Sequence, residues 1–295
     1  MFDYLLKIEA LGSKLRVWRS VFFLTLGLLV VTASQVDYSR LALPKVFGNS
    51  YIARVNVEGA ISRNRSRDVL MEKIARDDAI KAVLLRIDSP GGTVGDSEVL
   101  YQQLRDIAAK KPVVAVMGNV AASGGYMIAL AADHVVARNG TITGSIGVRS
   151  NYIGVSQIAK NLGITLRTIK TSEHKGAGSP FEEMSEGSIK LMQEVVDDFH
   201  RFFVGLVMAH RNMTEAEALK VSDGRVFTGS QAYNAGLIDE IGGEHEALEW
   251  LKEHKEVDIN IPVRDLEYRH GIMNAEGLLS MLSTAFAEFL YHGSV

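Results

Sequence analysis

At 295 residues, 47% hydrophobic and 23% charged, the chain can bury one large core or two modest ones, which excludes a disordered or fibrous class. Its formal net charge of −3 leaves no global basic field of the kind nucleic-acid binding needs, so no nucleic-acid partner is expected. Cysteine is absent, which rules out disulfides and thiolate metal sites, and the eight histidines show no zinc-ligand spacing, so no cofactor is expected.

Taken in chain order, residues 1–19 carry Lys7, Lys14, Arg16 and Arg19, and the uncharged run Ser20 to Val36 follows. That run sits at the short end of the ~17–25 residues that cross a bilayer as a helix. The basic residues ahead of it predict a cytoplasmic N-terminus, with everything after Asp37 exported. A cleaved signal peptide is the rival, with Val31-Thr32-Ala33 as a small-residue cleavage site, and a buried core helix is a third reading. The long leader ahead of Ser20 favours an uncleaved anchor over 20–36. A linker over 37–49 then leads to a catalytic domain over 50–263 and a helical extension over 264–295.

Strand and helix patterns alternate through the centre. Strands are predicted over Ile52–Val57, Ala82–Ile87, Val113–Met117, His134–Ala137 and Thr165–Ile169. Helices are predicted over Ser66–Ala75, Glu98–Ala109, Ser123–Ala132 and Ser156–Leu162. Such alternation argues for an α/β fold with parallel βαβ units and both sheet faces covered. Sites in these sheets collect where strands end and helices begin. Past Pro180, Ser188 to Met208 is a long helical pattern whose Met, Phe and Val positions read as core or subunit contact. Thr214 and Glu217 form a capping box, and Gly243 to Lys252 is another helix. Glu276 to Tyr291 is amphipathic. It reads as a docked helix, because a membrane-surface helix would carry Lys or Arg on its polar face.

Three segments carry chemistry. In Asn119-Val120-Ala121-Ala122-Ser123-Gly124-Gly125-Tyr126 a serine sits on small residues between a strand and a helix, where free N–H groups stabilise an anion. Read alone, Ser123 serves equally as an N-cap. In Ile87-Asp88-Ser89-Pro90-Gly91-Gly92 a buried strand ends in a turn that frees a backbone N–H to point at an oxygen, half of an oxyanion hole. The N–H after a nucleophile is the natural second half. The loop Lys170 to Pro180 carries Lys175 beside His174. A serine nucleophile needs a base, and a desolvated lysine serves if its pKa falls from ~10.4 to ~7–8, which disfavours its charge by ~4 kcal/mol. A Ser-His-Asp arrangement through His174 is the alternative, and a plain solvent-facing Lys175 is the ordinary reading.

Together with Gly144-Ser145-Ile146-Gly147, Ser179-Pro180, Gly224-Arg225-Val226-Phe227-Thr228-Gly229 and Gly236-Leu237-Ile238-Asp239, these segments occur in an order that resembles the signal peptide peptidase A family of bacterial membrane serine peptidases, in its short single-domain form. The resemblance covers roughly positions 50 to 260. It implies a crotonase/Clp-protease-like βαβ spiral behind an N-terminal transmembrane helix. It implies Ser123 as nucleophile, Lys175 as general base and then acid, Gly92 and Gly124 as oxyanion-hole donors, and Ser145 as the serine that orients the lysine. Peptide substrates such as remnant signal peptides, an inner-membrane location and a homo-oligomer that shares its sites between subunits are further implications. Two other classes remain open on the residues: a crotonase-like acyl-CoA enzyme, which shares the paired N–H groups but needs no serine nucleophile, and a non-catalytic membrane scaffold.

The predicted topology is checked by an alkaline phosphatase fusion after position 50. The fusion is expected to be active, and an inactive fusion reverses the orientation.

Overall fold

The computed structural model describes Ser50 to Tyr268. The expected anchor over 20–36 and the amphipathic stretch Glu276 to Tyr291 lie outside the described residues. No helix among the described residues is long and apolar enough to cross a membrane.

The first half of the domain follows the predicted alternation. Strand β1 (Tyr51–Glu58) leads to helix α1 (Arg65–Arg76), β2 (Ile80–Ser89) to α2 (Val94–Ala108), and β3 (Val113–Ala122) to α3 (Gly124–Ala129) and β4 (His134–Ala137). All four strands run parallel. Their side chains alternate between two buried faces. Val55, Val83, Leu85, Ile87, Ala115 and Met117 enter the larger core, whereas Ile52, Ala82, Leu84, Val114, Val116 and Val136 enter the smaller one. Burial on both faces is why these strands read as nearly unbroken apolar runs. Helices α1 and α2 start where a side chain can satisfy a free N–H. Asn64 accepts from Arg67 N at 3.0 Å and Thr93 from Asp96 N at 3.3 Å. They cover the larger core with Leu70, Met71 and Ile74, and with Leu100, Leu104 and Ile107.

β3 is twice the length expected of it, and a bulge makes that length usable. Its pairing with β2 runs from Val83↔Val113 to Ile87↔Met117, then shifts to Ser89↔Ala121. The displaced amides of Asn119 and Val120 donate to the Asp88 carboxylate at 3.3 and 3.1 Å. Gly118 is required opposite, because a Cβ there would lie 2.8 Å from Asp88 Oδ2. Before the bulge β3 pairs with β4; after it β3 pairs with β5 (Ile142–Gly144). One strand is thus handed between two neighbours, and its far end projects clear of β4.

The second half completes the sheet. Helix α4 (Ser156–Asn161), the long α5 (Glu186–Arg211) and α6 (Glu215–Val221) precede β6 (Val226–Thr228), which pairs antiparallel with β5. After α7 (Gly229–Asn234), β7 (Glu240–Ile241) joins β4. α8 (Glu244–Lys255) covers the smaller core with Ala247 and Leu251, and β8 (Val263–Leu266) joins β1. The main path through the sheet is β6-β5-β3-β2-β1-β8. The expected capping box of Thr214 and Glu217 is present.

Two expectations fail. Thr165–Ile169 forms no strand: residues 164–170 have no regular structure and are exposed, Ile169 fully. Its β-branched composition fits a pleated surface, but no neighbouring strand offers it a ladder. The helix expected over Ser123–Ala132 begins only at Gly124 and closes at Ala129.

α5 divides in two. Its later half is core, with Phe203, Val204 and Val207 buried, while Ile189, Leu191, Val195 and Phe199 of its earlier half are exposed. Its C-terminal end is pinned by polar contacts. Arg211 donates to Asp239 at 2.8 Å, and His210 Nε2 lies 2.6 Å from Tyr101 Oη with the rings edge-on at 5.6 Å.

Burial, and then the nearby Arg105 and Arg211, hold the His210 imidazole below its ordinary pKa. The fold therefore favours neutral His210, and the unfolded chain takes up the extra proton. This contribution to stability is present above the ordinary histidine value of ~6.5 and is lost as pH falls below it. His210→Gln is expected to show a smaller fall in Tm between about pH 7.5 and about pH 5.5 than the unsubstituted chain. An equal fall in both would remove His210 from the acid response.

Candidate active site

Ser123 terminates β3 with φ 53° and ψ −121°. A non-glycine residue with positive φ is strained by roughly 1–3 kcal/mol and persists only where its surroundings dictate it. Here they do. Ser123 N donates to Gly144 O at 2.8 Å, and Ser123 O accepts from Met127 N at 2.9 Å. The N-cap reading fails, because the Ser123 side chain makes no cap hydrogen bond. A serine on a sharp strand-to-helix turn, with a free hydroxyl, has the geometry of a nucleophile elbow.

The Pro-Gly-Gly turn after β2 packs directly against it. Gly91 has φ +98°, and a Cβ there would stand 2.7 Å from Gly124 N and 2.9 Å from Ser123 Cβ. At Gly92 a Cβ would overlap Ile61 O at 1.8 Å. Ile61 N donates to Gly91 O at 2.9 Å and Thr93 N donates to Ile61 O at 3.2 Å, a parallel bridge that leaves the Gly92 N–H outside the ladder. The Gly124 N–H opens a helix and has no intrahelical acceptor. Among the described residues neither amide has a backbone acceptor. An ideal Cβ on Gly124 would lie 3.3 Å from Gly92 N, so the two amides flank one small volume beside Ser123. Two preorganised N–H donors next to a free hydroxyl can hold the oxyanion of an acyl transfer.

Ser145 arrives from the adjacent strand. The pairing Ala122↔Gly144 places Ser123 and Ser145 as the next residues of neighbouring parallel strands. Ser145 also has positive φ, 49°, and its N–H donates to Arg225 O at 2.8 Å. Gly92, Ser123 and Ser145 line one cleft of about 910 Å³, whereas Gly124 is buried and does not line it.

Lys175 lies elsewhere. It is exposed, in a turn closed by Lys175 N to Ser172 O at 3.2 Å, and does not line the cleft. His174 is not on the cleft either; its Nδ1 lies 3.3 Å from Ser188 Oγ. The surrounding segment is held through its own contacts, Val155 N to Pro180 O at 2.6 Å and Lys170 to Glu182 at 2.6 Å. Within one chain, then, the cleft gathers the serine, the two amides and Ser145, and leaves the lysine out.

The far wall of the cleft escaped the sequence reading. Gln193, Asp197 and His200 of α5 face it, with Ser222 and Gly224 at its floor. The available signal was a polar stripe at four- and three-residue steps, Gln193, Asp197, His200, on a helix otherwise rich in Met, Phe and Val.

Residues 105–258 match the family model for peptidase family S49. A putative protease of Synechocystis is 39% identical over 68% of this chain and 72% of its own length. A putative protease of Methanocaldococcus jannaschii is 33% identical over 80% of this chain and 83% of its own. A putative signal peptide peptidase of Enterococcus faecium is 37% identical over 63% of this chain and 55% of its own.

Space at Gly124 is set chiefly by Ser97, since a Cβ there would meet Ser97 Oγ at 2.3 Å. Gly124→Ala is expected to cost about 1–3 kcal/mol of stability through overpacking. Adding Ser97→Gly is expected to recover most of it, measured by denaturant melts. Equal stability of the single and double variants would refute this packing.

Proposed function

Since the chain belongs to peptidase family S49, and is a protease on that ground, we propose that it is a membrane-anchored serine endopeptidase using Ser123 as nucleophile and Lys175 as base. The observation that carries the serine mechanism is the positive-φ Ser123 beside the neighbouring amides of Gly92 and Gly124, neither of which has a backbone acceptor among the described residues. In the first step Ser123 Oγ attacks the scissile carbonyl carbon while neutral Lys175 takes its proton. The carbonyl oxygen becomes an oxyanion and accepts from the Gly92 and Gly124 N–H groups. The protonated lysine then gives its proton to the departing amine as the C–N bond breaks, leaving an acyl-serine. Lys175 next removes a proton from water as it attacks the ester, and returns that proton to Ser123 Oγ as the ester C–O bond breaks.

Ser145, beside Ser123, is proposed to hold the lysine amine in line. Because Lys175 is off the cleft of its own chain, the base is proposed to come from a neighbouring subunit of a homo-oligomer. Support comes from the apolar side chains that the same region exposes: Ile153 is 74% and Leu162 72% exposed, and Ile169 and Phe199 are exposed as well. Closed rings of identical chains are a common way to cover such surface. We read the fold as the crotonase/Clp-protease-like spiral, a reading supported by the handing of β3 from β4 to β5. The proposed substrates are remnant signal peptides and other membrane-associated or misfolded polypeptides, with the domain on the extracytoplasmic face of the inner membrane. The charge asymmetry ahead of Ser20 and the name of the Enterococcus relative support this. An acyl-CoA enzyme would use the paired amides but has no need of a strained serine between them.

Ser123→Ala and Lys175→Ala are each expected to abolish peptide cleavage to a similar extent, since nucleophile and base act as a unit. His174→Ala should matter much less. Mixing the two inactive variants should restore part of the activity in a shared site. Near-normal turnover by Ser123→Ala overturns the serine mechanism, and no recovery in a verified mixed oligomer overturns only the sharing.

A further inference from the structure

A histidine on the wall of the cleft holds the turn that seats Ser145. His200, on α5, is part-buried, and its Nε2 lies 2.6 Å from Ser222 O. A carbonyl oxygen only accepts, so Nε2 carries the proton and donates. Ser222 is 1% exposed and opens the turn Ser222 to Arg225. That turn has two further ties, both to the strand end that bears Ser145. Gly224 N donates to Ile146 O at 3.1 Å, and Ser145 N donates to Arg225 O at 2.8 Å. The second bond is the one that meets Ser145 in its positive-φ conformation. The Arg225 guanidinium, for its part, pairs with Asp223 in the same turn.

We propose that His200 is a positioning residue: by clamping the Ser222 carbonyl it fixes the turn that holds the strained backbone of Ser145 in the cleft. This rests on the reading above in which Ser145 orients the base. His200 is not assigned to proton transfer, because its Nε2 proton is committed to Ser222. The clamp joins α5, a long helix whose later half is anchored in the core, to the turn whose Arg225 O accepts from Ser145 N. Displacing a catalytic group by about 1 Å costs on the order of 100-fold in rate.

The side chain of glutamine places its amide Nε2 as many bonds from Cβ as histidine places its own Nε2, whereas asparagine is one bond shorter. In the full chain, His200→Gln is therefore expected to keep most of the peptidase kcat. His200→Leu and His200→Asn are expected to lose roughly 10- to 100-fold in kcat with little change in KM. Hydrogen–deuterium exchange of the full-length variants, read by mass spectrometry on peptides spanning Ser145 and Arg225, gives a readout independent of activity. Exchange there should rise in the leucine and asparagine variants and stay low in the glutamine variant. If His200→Leu fails to fold, the glutamine–asparagine pair carries the same comparison. Wild-type kcat and exchange in His200→Asn, or a glutamine variant as impaired as the asparagine one, overturns the proposal. If the unsubstituted chain neither cleaves peptides nor is acylated at Ser123 by a serine-reactive probe, the peptidase reading falls, and the exchange data alone decide the clamp.

Discussion

The arrangement of the site depends on one backbone conformation, the positive φ of Ser123 at the end of β3. Left to itself, a serine would relax into the broad extended or helical wells. It is held because its N–H is spent on Gly144 and its carbonyl on Met127, at 2.8 and 2.9 Å. The glycines around it are there to admit that backbone. Gly91 lets the neighbouring turn approach Ser123 Cβ, and at Gly125 a Cβ would stand 2.6 Å from Ser89 O. The stretch reads as small residues because side chains would push apart strands that the bonds must keep together.

The same requirement reaches back into the sheet. β3 can carry Ser123 beyond β4 only because the bulge at Gly118 to Val120 re-aims it toward β5. Asp88 satisfies the amides this leaves unladdered. Asp88 precedes the Ser-Pro-Gly-Gly turn, so one short segment both carries the proposed oxyanion donor Gly92 and steadies the strand that leads to Ser123. Electrostatics and strand register are solved by adjacent residues.

Much of this was legible in the sequence, and the parts that were not have physical reasons. Strands β1 to β4 announced themselves because double-sided burial leaves nearly continuous Val, Ile and Leu. Ser123, Gly92 and Gly124 stood out because tight backbone approach restricts residue type. The bulge did not show, since its two amides are satisfied by the side chain of Asp88, 31 and 32 residues earlier at the end of β2, a pairing no local pattern encodes. Thr165–Ile169 misled because β-branched composition describes a surface that fits a sheet, and among the described residues this segment pairs with no strand. His200 was invisible for a similar reason: its partner is a backbone carbonyl in a distant turn. The part played by Ser145 rested on family likeness alone, and the structure adds its position beside Ser123 and its unusual φ.

Placing Ser123, the proposed nucleophile, directly after the central strand also ties the proposed activity to structural integrity. β3 contributes to both cores and reaches the cleft without a flexible hinge between. Ser123 keeps its unfavourable conformation while its N–H donates to Gly144 O on the next strand, so loosening the β3–β5 pairing would let it relax. In the reading proposed above, a copy whose β3–β5 pairing has opened loses its site together with that part of its fold. For a protease, strain in the proposed nucleophile would be a form of self-restraint written into the backbone.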